Sequence, residues 1–91
     1  MITIKNGVLG YIHGYDGRIG VMEDGINYLM ENAGVNRPIT INEYKGFTES
    51  CVGTLEKVAS TKEGYLLIVK PLSGKLKAYN LNYISDAFVL D

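Results

Sequence analysis

Apolar positions in the first 22 residues are divided by two turn dipeptides, and the pairings those turns impose predict a three-stranded meander. Asn6-Gly7 fits a two-residue type I′ turn, because both central positions of such a turn need positive φ. That turn pairs Ile4 with Leu9 and Ile2 with Tyr11, which gathers four apolar residues on one face. Asp16-Gly17 supplies a second such turn and pairs Ile12 with Val21. Gly10, Gly14 and Gly20 weaken these strands and mark bends or close backbone approach.

The period then lengthens. Ile26, Leu29, Met30 and Ala33 fall at i, i+3, i+4 and i+7, one stripe of a helix over residues 24–33. Asp24 is placed to cap its first turn, Gly34 sits at the left-handed position that ends it, and Pro38 lies beyond as a stop. From Pro38 onward the chain reads as strand: Ile39 to Tyr44, Cys51 to Ala59, Gly64 to Lys70, Lys75 to Asn80 and Ala87 to Leu90. Residues 60–63 form a polar hairpin, Ser73-Gly74 turns the chain again, and Leu81 to Ile84 reads as a short 3-10 connection. The third of these strands is apolar on both faces, as a central strand should be.

One helix, then five short strands with a tight turn before the last, is the pattern of a small SH3-like or Sm-like barrel, here with an N-terminal meander added. The expected organisation is a single mainly-β domain over 1–91: meander 1–22, helix 24–33, five-stranded barrel 38–91. Closing the strands on themselves removes sheet edges, which suits a chain with little core to spare. The alternative is an α+β open antiparallel sheet with the helix packed on one face.

Composition narrows the chemistry. Of 91 residues, 46% are hydrophobic and 21% charged, so the chain folds rather than staying disordered. A net charge of −1 excludes a globally basic nucleic-acid coat. A single Cys and a single His build neither a disulfide framework nor an N/S metal site. Gly14, Gly17 and Gly20 are followed by no Gly-Lys-Ser/Thr, so no phosphate-cradling P-loop is present. Cys51 with His13 reads as a packed thiol and a strand imidazole rather than a nucleophile and its base, and Glu23-Asp24 as helix-start charges. No enzyme and no cofactor are expected. Met1 to Gly7 shows no basic stretch leading into an apolar run, and Tyr65 to Val69 is too short to span a bilayer, so a cytoplasmic location without membrane contact is expected.

Charge is unevenly placed. Residues 16–56 sum to −4 and residues 57–85 to +4, so an anion could be bound locally on a globally neutral chain. Strand alternation puts Lys75, Lys77 and Tyr79 on one face with Leu76 and Ala78 on the other, and Lys70 lies across the Ser73-Gly74 turn. Lysines interleaved with tyrosine can hold phosphate and stack a base. The same lysines would also serve as simple protection of a sheet edge.

The run Gly64-Tyr65-Leu66-Leu67-Ile68-Val69, a turn, then Lys77-Ala78-Tyr79-Asn80-Leu81-Asn82-Tyr83-Ile84 resembles the end of a WYL domain. That family carries a hydrophobic strand followed by Arg-x-Phe-x-Leu-Asp-Arg-Ile. Lys77 falls at the first Arg, Tyr79 at the Phe, Leu81 at the Leu and Ile84 at the Ile. Ala87 to Asp91 is similar to the closing strand, and the resemblance spans residues 26–91. No Trp precedes Tyr65, Asn82 replaces the Asp and Tyr83 the second Arg. The resemblance implies a barrel that binds nucleic acid or a nucleotide-like effector in a regulator, without the DNA-binding helix-turn-helix.

Two functions are therefore expected. The first is a non-enzymatic module binding nucleic acid or a nucleotide phosphate through Lys70, Lys75, Lys77, Tyr79 and Tyr83. The second is a protein–protein adaptor or inhibitor acting stoichiometrically through a tyrosine-rich, acidic face with Tyr11, Tyr15, Tyr28 and Tyr44 as contacts. Homo-oligomerisation is compatible with both.

Overall fold

A computed structural model describes residues 1–13, 18–21 and 25–90; of residues 12, 13 and 18–21 only the backbone is described. The elements are β1 Ile2–Lys5, β2 Val8–His13, β3 Arg18–Val21, α1 Gly25–Asn32, β4 Arg37–Tyr44, β5 Phe47–Thr61, β6 Gly64–Pro71, β7 Lys77–Asn80, a 3-10 turn Leu81–Tyr83 and β8 Ile84–Val89. The strands form one antiparallel sheet in the order β3-β2-β1-β8-β4-β5-β6-β7.

The first hairpin is built as its sequence dictates. Asn6 (φ 49°) and Gly7 (φ 77°) both lie in the left-handed region, and Ile2 pairs with Tyr11 and Ile4 with Leu9. The next register differs from expectation: Ile12 pairs with Ile19, and Val21 with Gly10. His13 lies opposite Arg18, so the register is shifted by two residues from the expected pairing. The Asp16-Gly17 turn and Asp24 as helix cap lie outside the described residues.

Helix α1 buries Leu29 completely and lays Ile26, Tyr28 and Ala33 against the core, whereas Met30 is exposed. Its buried stripe is thus centred on Leu29 and excludes Met30, which the helical spacing had included. Gly34 (φ 79°) ends the helix, and its N–H donates to the Leu55 carbonyl (2.9 Å), tying the helix end to β5.

Two features organise the remaining strands. Lys45 and Gly46, both at positive φ, make a tight turn, so β5 starts at Phe47, four residues before the expected Cys51. β5 then runs for 15 residues and serves two partners: its first part pairs with β4 and its second with β6. They overlap around Gly53, which pairs with both Ile39 and Pro71. A Cβ there would lie 2.1 Å from the Lys70 carbonyl oxygen, so only glycine allows the two strands to approach this closely. Bulges opposite Asn42 in β4 and near Glu56 in β5 add to the curvature.

The core is made by Ile39, Ile41, Leu55, Leu67, Val69 and Ile84 with their neighbours, and Ile2 and Ile4 extend it beneath β1. The 3-10 turn is locked from three sides. Asn80, buried, accepts from Asn82 N–H (2.9 Å) through its side chain and donates from Nδ2 to the Glu63 carbonyl (3.1 Å). Gly7 N–H donates to Ile84 O (2.9 Å), and Lys45 N–H to Tyr83 O (2.7 Å).

The expected closed barrel is not present. Among the described residues no backbone ladder joins β7 to another strand besides β6, and the sheet is open with β3 and β7 at its ends. Side chains span the gap instead. The Tyr44 hydroxyl accepts from Asn80 N–H (3.0 Å), and the Tyr44 and Tyr79 rings meet edge to face at 5.0 Å. With the N–H of Asn80 occupied in this way, the end of β7 offers less to a closing strand. No helix among the described residues is long and apolar enough to cross a membrane.

Candidate functional site

The five residues expected to form a lysine–tyrosine face are divided by the sheet. Val69 pairs with Lys77, so these two share a face, and Lys70, next to Val69, points to the opposite one. Lys75 is exposed in the turn between β6 and β7. Tyr79 is only 4% exposed, while Leu76 is 61% exposed, so β7 turns its tyrosine inward and its aliphatic neighbours outward. Tyr79 therefore presents no ring to solvent. Tyr83, half exposed on the 3-10 turn, does, and the Lys45 ammonium lies 5.5 Å from its centroid and 5.6 Å from that of Tyr44.

Lys77 and Tyr79 do share a partner. Tyr79 Oη donates to Glu49 Oε1 (3.1 Å), and Lys77 Nζ lies 3.6 Å from the same oxygen. Burial first, then the Cys51 thiol and the Glu49 carboxylate beside it, push the Tyr79 phenol well above its ordinary value. It is accordingly a fixed donor to Glu49 rather than a proton-exchanging group. Cys51 is buried and free of any disulfide.

Three of the four tyrosines expected at a protein interface are among the described residues. Tyr11, Tyr28 and Tyr44 are each partly buried against the core from three different elements, β2, α1 and β4. Tyr15 lies outside the described residues. The acidic and basic stretches of the sequence meet at the Glu49–Lys77 ion pair, and Asp86, beyond both, accepts from Lys5 and from Asn42 Nδ2 (3.1 Å).

The exposed apolar surface lies elsewhere. Phe47 (77% exposed) opens β5, Val52 is half exposed further along it, and Leu72 (83%) and Leu76 belong to the turn after β6. Between β5 and that turn runs an open groove of about 380 Å³, lined by Ser50, Cys51, Val52, Pro71, Leu72, Ser73 and Lys77. Sequence reasoning missed Lys45, Phe47, Glu49, Val52 and Leu72. Gly46 was the available signal for the turn that exposes Phe47. Nothing local marks Val52 and Leu72, whose proximity depends on the close crossing at Gly53.

Among the described residues no cluster of His, Cys, Asp and Glu could hold a metal ion, and no buried side-chain polar atom lacks a partner. Compared with protein-family models, curated proteins and solved structures, the chain finds no match in any of the three.

Proposed function

We propose that this chain is a small non-enzymatic module that binds another protein stoichiometrically, with β4 to β8 forming a partly open SH3/Sm-like barrel. The order β8-β4-β5-β6-β7, the bent β5 shared between two partners and the 3-10 turn before β8 support the barrel reading. The observation that carries the function is the pair of exposed apolar side chains Val52 and Leu72, brought together on the groove between β5 and the turn after β6. Apolar surface grouped in this way marks an interaction site more often than singly scattered residues do. A peptide-display selection on the intact chain tests the reading. Enriched sequences that bind one-to-one by calorimetry are expected; a selection from which no sequence survives titration overturns it.

A second reading, nucleic acid or nucleotide phosphate, is favoured by Lys45 beside the exposed Tyr83 ring and by Lys70 and Lys75, which have no acidic partner among the described residues. The likeness of residues 77–84 to the WYL signature belongs to this reading. Anisotropy of labelled single-stranded RNA at two salt concentrations tests it. Binding that weakens steeply with salt is expected, and a flat titration at low salt removes it.

A further inference from the structure

The turn between β1 and β2 carries a reactive pair. Asn6-Gly7 is the one Asn-Gly pair in the sequence, and the Asn6 side chain is exposed. An asparagine carboxamide followed by glycine is open to attack by its own backbone, because glycine has no side chain to shield its nitrogen. In that reaction the Gly7 nitrogen gives up its proton and bonds to Asn6 Cγ. The Cγ–Nδ2 bond breaks and ammonia leaves, which closes a five-membered imide. Water then opens the imide at one of its two carbonyls. One opening leaves aspartate at position 6. The other leaves isoaspartate, in which the main chain runs through Cβ and Cγ.

The fold holds the nucleophile back. The Gly7 N–H donates to the Ile84 carbonyl (2.9 Å) and the Asn6 N–H to the Ser85 carbonyl (3.0 Å), so both turn nitrogens are tied to β8. Gly7 also packs against the 3-10 turn, where a Cβ would lie 3.2 Å from Asn82 Cα. Attack needs the Gly7 proton released and the Asn6 backbone free to rotate, and the two bonds to β8 oppose both. β1 lies between β2 and β8 with Ile2 and Ile4 buried, so opening its end costs more than fraying a sheet edge.

The two products differ in what they do to the hairpin. Aspartate tolerates the left-handed φ of 49° much as asparagine does, and keeps the turn. Isoaspartate adds one carbon to the main chain between Lys5 and Gly7. The turn then no longer sets Ile4 opposite Leu9, and the bonds to Ile84 and Ser85 lose their alignment.

We propose that Asn6 is a self-modification site gated by the β1–β2 turn. It converts only when the Gly7 N–H leaves the Ile84 carbonyl, and its isoaspartyl product holds the hairpin out of register. A transient opening of the hairpin thus becomes a permanent one.

The test incubates the intact chain at mildly alkaline pH, with and without guanidinium. Mass spectrometry with electron-transfer fragmentation follows Asn6 and separates aspartate from isoaspartate, and hydrogen exchange is measured at the Gly7 amide. Asn6 should convert at least ~10-fold more slowly in the folded chain than in guanidinium. Asn80→Ala loosens the 3-10 turn against which Gly7 packs, so conversion and Gly7 exchange should rise together. If that variant does not fold, its conversion must match the guanidinium value, and a slower one counts against the proposal. The isolated isoaspartyl chain should melt below the parent, and Asn6→Asp should melt with the parent. Equal conversion with and without guanidinium overturns the gating, as does conversion that stays constant while Gly7 exchange rises. No conversion in guanidinium overturns the site itself. An isoaspartyl chain that melts with the parent overturns the loss of register.

Discussion

Replacing Gly53 with alanine should be strongly destabilising, because the added methyl meets backbone that cannot step aside. The new Cβ would lie 2.1 Å from the Lys70 carbonyl oxygen and 2.8 Å from both the Lys70 carbonyl carbon and Pro71 Cα. Carbon atoms pack best at about 3.5–4.0 Å, so β5 and β6 must part by roughly 1 Å or more. The atoms in the way are backbone, and no rotamer change can move them. Overpacking of this kind costs about 1–3 kcal/mol. Parting the strands also weakens the Thr54–Lys70 pairing and the Leu72–Val52 hydrogen bond, each worth ~1 kcal/mol. Alanine's less flexible unfolded chain offsets ~0.4–1 kcal/mol. The net loss is about 2–4 kcal/mol, out of the ~5–14 kcal/mol that ~0.05–0.15 kcal/mol per residue implies for a chain of this length. At ~4–8 °C per kcal/mol the thermal midpoint should fall by roughly 10–30 °C. Urea unfolding followed by far-ultraviolet circular dichroism measures the loss. Gly46→Ala is the comparison, since nothing lies within 4 Å of its Cβ and only its φ of 79° opposes the change, at about 1–2 kcal/mol. A Gly53→Ala variant that unfolds within ~1 kcal/mol of the parent, or is more stable than Gly46→Ala, would refute the close-crossing account of the bend.

Three further substitutions probe the polar ties. Tyr79→Phe removes the donor to Glu49, and because that carboxylate is one-third exposed and can rehydrate, the loss should be about 1–2 kcal/mol in thermal melts. The raised phenol makes a signed prediction: its contribution is complete below the ordinary value of 10.0 and is lost as pH rises above it toward the higher folded value, so the parent should lose more stability than Tyr79→Phe between neutral and strongly alkaline pH. Asp86→Asn tests the opposite sign. The Asp86 carboxyl is lowered chiefly by its hydrogen bond from Lys5, so its contribution is present above the unfolded value of about 3.9 and disappears as pH falls through the folded one. At this partly exposed site the variant should lose ~0.5–1 kcal/mol at pH 7 and nothing in strong acid, and an equal loss at both would count against the ion pair. Asn80→Ala strands the Glu63 carbonyl and the Asn82 N–H and should cost about 1–3 kcal/mol, with hydrogen exchange rising at Asn82 first.

The fold was legible wherever short-range chemistry decides it. Asn6-Gly7 fixes a register by the φ its two positions require, and Gly34 ends α1 for the same reason. The 3-10 turn at Leu81–Tyr83 is where it was expected, whereas β7 starts at Lys77 rather than Lys75 and β8 at Ile84 rather than Ala87. What was not legible depends on contacts between distant segments. Lys45 at positive φ is unusual for a lysine, so alternation alone gave no reason to start β5 at Phe47. Gly53 looks like any weakened strand position until β6 is laid across it. The end of β7 is tied to β4 by the Tyr44 hydroxyl, which accepts from the Asn80 N–H, and pattern cannot reveal such a long-range partner.

The candidate site was less legible than the fold, and Tyr79 shows why. Alternation correctly groups it with Lys77, but periodicity is silent on which face of a strand is the inner one when one face carries lysine and tyrosine and the other leucine and alanine. The decision falls to Glu49, thirty residues away, whose carboxylate gives both the phenol and the ammonium a partner at the rim of the core. With Tyr79 held inward by Glu49, Ala78 faces outward by alternation, and Leu76 in the preceding turn is exposed as well. Glu49→Gln keeps a weaker acceptor for the Tyr79 hydroxyl and Glu49→Leu removes it, so stability in thermal melts should fall in that order, by up to about 1–2 kcal/mol. Equal stability in both variants would show that Glu49 does not decide which way Tyr79 faces.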